Sequence, residues 1–215
     1  MEFLIKGIYS LVMAGALFFV VSCSSESENA VDDPIEKEEL VADLKVMTYN
    51  IHVANPPSAG DKRDLQAIAN VIKDANPDLV TLQEVDQFTE RSGKNIDQAV
   101  ELGKLTGMNA FFVKAMDVLG GGAYGIAILS KKPILESEAY ELNAHPNVGG
   151  ETRALAVVQI EIKEGVKLYF AGTHLDHRSE ENRIFQGTQL NNVLLKKTDP
   201  VILAGDFNAP PPTKT

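Results

Sequence analysis

The sequence predicts a mixed α/β fold in which two mixed β-sheets pack against each other with helices on the outside. Three observations carry this prediction. Short apolar segments that end in a polar side chain recur along the chain, the first half alternates strand, helix and strand, and the second half runs several strands in succession. Alternation makes a parallel pair through a crossover, whereas consecutive strands pair antiparallel through tight turns. A single doubly wound sheet accounts for only the first half.

Taken in order, residues 44–51 alternate and are rich in strand formers, giving a strand with Asn50 at its end. Residues 61–75 place Leu65, Ile68, Ala69 and Ile72 on one helical face, and Pro77 marks the stop. Residues 78–84 form a second buried strand whose end carries Glu84; the right-handed crossover sets it parallel to the first, with Asn50 and Glu84 at one edge. A helix over 95–106 has Asn95 as its cap and turns Ile96, Ala99, Val100 and Gly103 inward. Strands over 109–114 and 124–130 flank the glycine turn Gly120 to Gly122, and Pro133 opens an edge segment. Residues 153–161 and 166–173 make a hairpin around Gly165, which leaves His174 at a strand end. An amphipathic helix follows over 179–197, with Glu180 and Glu181 in its first turn and Lys196 and Lys197 in its last, as the helix dipole favours. Finally Val201 to Ala204 form a buried strand, Gly205 lets the chain turn, and Asp206 and Asn208 emerge where ligands of open α/β sheets sit.

The 215 residues, 44% hydrophobic with few aromatics, suit one soluble domain plus a leader. The leader has a cationic start at Lys6, an uncharged apolar run from Gly7 to Val21, and then Ser22-Cys23. That run is short for a membrane span, and the lone cysteine falls where small-residue cleavage is expected. Residues 1–22 are therefore expected to be a bacterial lipoprotein signal, with Cys23 as the lipidated residue that anchors the chain to a membrane at the periplasmic or outer face of the cell envelope. The acidic, polar stretch 23–42 reads as a flexible tether, and 43–215 as the folded domain, monomeric and without disulfides. Loss of residues 1–22 removes one Glu and one Lys, so the net charge stays at -10. Such a charge opposes strong, sequence-independent binding of long nucleic acid, whose affinity comes from Lys and Arg contacts to phosphate.

Asn50, Glu84, His174, Asp206 and Asn208 are far apart in sequence yet all fall at predicted strand ends. A carboxylate, amides and water suit a hard cation such as Mg²⁺, with Mn²⁺ as a substitute, whose remaining ligands come from a phosphate. His174 can donate a hydrogen bond to a phosphate oxygen while Asp206 and Asn208 orient an attacking water. The chemistry indicated is metal-assisted hydrolysis of a phosphoester.

Met47-Thr-Tyr-Asn-Ile51, Leu82-Gln-Glu-Val85, Tyr124-Gly-Ile-Ala-Ile-Leu-Ser130, Gly172-Thr-His-Leu175 and Gly205-Asp-Phe-Asn208 resemble, in this order, the motifs of the endonuclease/exonuclease/phosphatase (DNase I-like) family over about residues 43–211. The resemblance implies a four-layer αββα sandwich and Mg²⁺-dependent cleavage of phosphodiester or phosphomonoester bonds. It further implies Glu84 as metal ligand helped by Asn50, His174 on the phosphate, Asp206 and Asn208 on the nucleophile and transition state, and Tyr124 near the scissile phosphate. Asp86, Arg91, Arg153 and Asp176 are the accompanying polar residues, expected to bind substrate or to support those that do; the bland alternative for each is an ion pair. The family closes with an Asp and a Ser-Asp-His motif, and nothing of the kind stands between Asn208 and Thr215. The expectation is a fragment of a longer protein, poorly active alone, with its second sheet incomplete.

Competing readings fare worse. Gly120 to Gly125 fits G-x-G-x-x-G but precedes a strand instead of opening a helix after one, so the dinucleotide reading fails. His174-Leu-Asp-His177 lacks the additional close ligands zinc requires, and His52 and His145 read as loop or surface residues, His52 bordering the site. A secreted nuclease of the same fold, and a surface binding module that has lost its chemistry, are the alternatives to a phosphoesterase acting on a small, lipid-linked or sugar-linked phosphate.

Overall fold

The computed structural model describes residues 43–210. The expected signal, Cys23, the tether and the last five residues lie outside this range. In chain order the elements are β1 (Val46–Asn50), α1 (Leu65–Ala75), β2 (Leu79–Gln87), α2 (Gln98–Thr106), β3 (Asn109–Asp117), β4 (Ala123–Ser130), β5 (Glu136–Leu142), β6 (Arg153–Lys163), β7 (Val166–His174), α3 (Glu180–Leu194) and β8 (Val201–Asp206), with short 3-10 turns at His52–Ala54 and Pro57–Ala59.

Two four-stranded mixed sheets result, ordered β1-β2-β4-β3 and β5-β6-β7-β8. Each holds one parallel pair, β1 with β2 and β7 with β8, and the remaining pairs are antiparallel. Helix crossovers account for both parallel pairs: α1 connects β1 to β2 and α3 connects β7 to β8.

Side-chain alternation builds the layers. In β2 and β4, Val80, Leu82, Ala127 and Leu129 face α1 and α2, where they meet Ile68, Ile72 and Leu102. Their neighbours Leu79, Ile126 and Ile128 face the other sheet and pack on Ala154, Ala156, Val158 and Phe170. The opposite face of that second sheet gives Leu155, Val157, Tyr169 and Ala171 to Leu190 of α3. Strands buried on both sides read as continuous apolar runs, as in β4 from Gly125 to Leu129 and in β6 from Ala154 to Val158. Each such Leu, Ile or Phe contributes about 1.5–3 kcal/mol by leaving water. The arrangement is the expected αββα sandwich.

Four local expectations need correction. The strand predicted to end at Glu84 continues to Gln87 through a register shift between Gln83 and Val85. Helix α2 begins at Gln98, capped by Asp97 through Val100 N–H, and not near Asn95; Val100 is exposed, and Leu102 takes its inward place. Gly205 is no turn residue: it lies inside β8 opposite Thr173, where a Cβ would collide with the Thr173 backbone. Helix α3 stops at Leu194 and is not amphipathic in the usual sense, since Asn182, Arg183 and Gln186 are its buried residues beside Leu190. Its first half covers loop backbone, so hydrogen-bonding groups are what that face requires. Lys197 lies past the helix and pairs with Glu138.

Candidate active site

Strained backbone marks one rim of the sandwich. Glu84 has φ 57° at the bulge in β2, and Asn208 has φ 50° just past β8. His52, Val53 and Ala54 follow β1 with φ of 47°, 51° and 59°, three left-handed residues without a glycine. Conformations of this kind cost on the order of 1–3 kcal/mol each and persist only where the surroundings fix them. Here Gln98 Nε2 donates to Val53 O (3.0 Å), Asp64 N–H donates to Ala54 O (2.7 Å), and His52 N–H donates to Asn50 Oδ1 (3.1 Å). The bulge re-aims a side chain, so Glu84 reaches the rim although the strand does not end there.

At that rim Asn50 Nδ2 donates to Glu84 Oε1 at 2.9 Å and to Asp206 Oδ2 at 3.2 Å. One amide therefore draws together two carboxylates from different sheets. His174 Nε2 lies 3.8 Å from Asp206 Oδ2. Asn208 N–H donates to Asp206 Oδ1 (3.0 Å) and Asn208 Nδ2 donates to Leu175 O (2.9 Å), which fixes the turn and leaves Oδ1 as the amide atom available to a ligand.

His174 is buried, with Arg153 Nη1 3.5 Å from its Nδ1. Burial first, and the Arg153 charge second, push its pKa down to about 4, against the opposing pull of Asp206 and Glu84. The ring is thus neutral near pH 7. A guanidinium can only donate, so Nδ1 is the acceptor and Nε2 carries the hydrogen on the Asp206 side. Burial, reinforced by Glu84, pushes the Tyr124 phenol up to about 12, so it too remains a donor. Arg91 lies over the Tyr124 ring, 5.7 Å from its centroid.

Glu84, Tyr124, His174, Asp206, Asn208, Arg91 and Arg153 all line one cleft of about 710 Å³, a size suited to a small ligand. Asn50 joins it through its bonds to the two carboxylates and borders the adjoining cavity. Asp86 and Asp176, expected to bind substrate or to support residues that do, are both fully buried and absent from the lining of the cleft. Asp86 instead holds Arg91 bidentately (2.8 and 2.7 Å) and accepts from Thr89 and Ser92 hydroxyls. Asp176 receives the Arg178 N–H, while its own N–H donates to Gln186 Oε1.

Sequence reasoning missed other lining residues: Arg63 and Val53, Met116, Val118 and Leu119 of the β3–β4 hairpin, and Glu151 with His177. The one available signal was charge spacing, since Glu151 precedes Arg153 by two and pairs with it at 2.9 Å. Glu151, Asp176 and His177 also bring ligand-type atoms within 4.8 Å of one another. Glu151, however, already pairs with Arg153 and with Arg178 (3.0 Å), and a cation there would confront two guanidinium groups. Glu84 and Asp206 fit a hard divalent cation better, being oxygen donors of like charge held together by one amide.

The profile of the Endonuclease/Exonuclease/phosphatase family matches residues 47–214, and the chain belongs to that family. It is 30% identical over 142 residues to a 5'-tyrosyl-DNA phosphodiesterase of Caenorhabditis briggsae, covering 64% of this chain and 35% of that protein. Among solved structures, an endonuclease/exonuclease/phosphatase from Beutenbergia cavernae DSM 12333 superimposes with TM-score 0.63 and 27% identity, over 77% of this chain and 47% of the other. A functionally unknown conserved protein from Enterococcus faecalis V583 gives TM-score 0.65 at 22% identity, over 80% and 69% of the two chains, a likeness of fold. The chain thus spans about a third of the curated relative's length and about half of the Beutenbergia structure.

Proposed function

We propose that this chain carries the catalytic site of a divalent-cation-dependent phosphoesterase, anchored through lipidated Cys23 at the bacterial cell envelope and acting as a monomer on a small, lipid-linked or sugar-linked phosphate ester. The observation that carries this reading is the Asn50 amide joining Glu84 and Asp206 beside His174. Support for a small substrate in preference to bulk DNA comes from the cleft's size and the net charge of -10.

Glu84 and Asp206 would hold Mg²⁺ or Mn²⁺, with Asn50 orienting both carboxylates; a ligand role for Asn50 itself would need its oxygen to give up the His52 N–H. When bound, the cation supplies Lewis-acid polarisation and offsets the phosphate's charge. Asn208 Oδ1 accepts a hydrogen bond from the attacking water, and Asp206 takes its proton. The water oxygen forms the new bond to phosphorus as the ester oxygen leaves. His174, neutral and with its hydrogen on Nε2, donates to a non-bridging oxygen as charge builds, and Tyr124 donates from the neighbouring wall. Buried Arg153 holds the imidazole in that tautomer.

The test is hydrolysis of bis(4-nitrophenyl) phosphate and a panel of sugar phosphates by the full chain, with Mg²⁺ or EDTA. Weak, cation-dependent turnover is expected, falling at least a hundredfold in Glu84→Ala and His174→Ala, comparable to losing one transition-state donor or more. Turnover indifferent to EDTA and to Glu84→Ala would refute the proposal.

A further inference from the structure

Three arginines line the cleft, and they differ in what balances them. Arg91 is neutralised by fully buried Asp86, and Arg153 shares the Glu151 carboxylate with Arg178. Arg63 has no carboxylate within ion-pair distance among the described residues. Its Nε is shielded from solvent and has no hydrogen-bond acceptor there either. With the Asn55 amide turned so that its NH₂ faces the Gly60 and Lys62 carbonyls, the Asn55 oxygen accepts from Arg63 Nη1 at 3.2 Å, which ties one end of the guanidinium to the loop. The backbone is pinned as well, since Asp64 N–H donates to Ala54 O at 2.7 Å, in the strained turn that carries His52 and Val53 to the cleft wall.

Arg153 Nε is shielded and without an acceptor too, so an orphaned N–H does not by itself set Arg63 apart; the missing carboxylate does. Among the three arginines that line the cleft, Arg63 alone presents a charge with no carboxylate partner among the described residues, and a guanidinium donates readily to the oxygens of a phosphate. We propose that Arg63 forms a second anion subsite, so that the preferred substrate is a phosphate ester carrying a second phosphate. This rests on the phosphoesterase reading for its reacting group and adds what the rest of the substrate must bear. His174, Asn208 and the carboxylate pair engage one phosphate while Arg63 holds the other within the same cleft.

Calorimetric titration of the full chain with Mg²⁺ present, using fructose 6-phosphate, fructose 1,6-bisphosphate and inorganic pyrophosphate, tests this. At least one of the two bis-anions is expected to bind tenfold or more tightly than the monophosphate. Arg63→Gln, which keeps most of the aliphatic stem, should erase that preference and leave monophosphate affinity unchanged; Arg63→Lys should retain part of it. A wild-type chain with no preference for either bis-anion overturns the subsite, as does an Arg63→Gln chain that keeps the preference or loses both affinities equally. His174→Ala separates the two proposals: it should weaken mono- and bisphosphate alike. If it weakens neither while Arg63→Gln still abolishes the preference, the catalytic reading fails and the anion subsite stands.

Discussion

The Asp86–Arg91 pair predicts an asymmetry between its two partners. Asp86 is wholly buried and accepts four hydrogen bonds, two from Arg91 and one each from Thr89 and Ser92, whereas the Arg91 side chain is 43% exposed. Asp86→Asn removes the charge but keeps the shape and an acceptor oxygen for the hydroxyls, and the abandoned guanidinium turns to water. The expected cost is about 2 kcal/mol, at the level of losing one or two charge-assisted hydrogen bonds. Arg91→Met keeps the aliphatic bulk and strands a carboxylate where water does not reach; breaking a buried pair on that side costs about 4 kcal/mol. At roughly 3 °C per kcal/mol, melting points fall by about 6 °C and about 12 °C respectively. Urea denaturation measures both. pH adds a second signature: burial raises the Asp86 pKa, but the Arg91, Ser92 and Thr89 hydrogen bonds outweigh it and hold the group below the ordinary carboxylate value. Its stabilisation is therefore present above about pH 4 and lost only as pH falls below that. In Arg91→Met the pKa rises instead, so the penalty is full at pH 7 and shrinks on acidification. Equal losses in the two variants, or a greater loss in Asp86→Asn, would refute the reasoning.

Two further outcomes are expected. His174 takes up a proton in the unfolded chain near pH 6.5 but resists it in the folded chain until about 4, so stability should be flat above pH 6.5 and fall between 6.5 and 4; ¹⁵N imidazole spectra should show the Nε2–H tautomer at pH 7, and Arg153→Gln should raise the titration midpoint. Gln98 joins the strained turn to β2, through Val53 O and Asp86 N–H, so Gln98→Ala should cost about 1–3 kcal/mol and speed amide exchange over residues 51–55, while little exchange change there would sink that link.

Apolar runs, helix faces and turn residues made the two-sheet sandwich readable from the sequence, because burial on both faces leaves few ways to arrange such strands. The rim was readable too: Asn50, His174, Asp206 and Asn208 come together as their positions at predicted strand ends suggest, and Tyr124 lines the same cleft, as the family resemblance implies. What escaped was nonlocal. Glu84 reaches the rim through a left-handed bulge that no propensity signals. Gly205 was taken for a turn because its close approach to Thr173 depends on strand pairing. Packing, which no local pattern encodes, turns Asp86 and Asp176 to arginine and backbone partners inside the wall. Arg63 and the β3–β4 hairpin enter the cleft from loops whose paths local sequence does not determine.

The most direct test of the central claim is a Mn²⁺ titration of the full chain followed by electron paramagnetic resonance, comparing wild type, Glu84→Ala and Glu151→Ala. A site formed by Glu84 and Asp206 predicts that the bound ion is lost in Glu84→Ala and kept in Glu151→Ala. Retention in Glu84→Ala together with loss in Glu151→Ala would move the ion to Glu151, Asp176 and His177 and contradict the account.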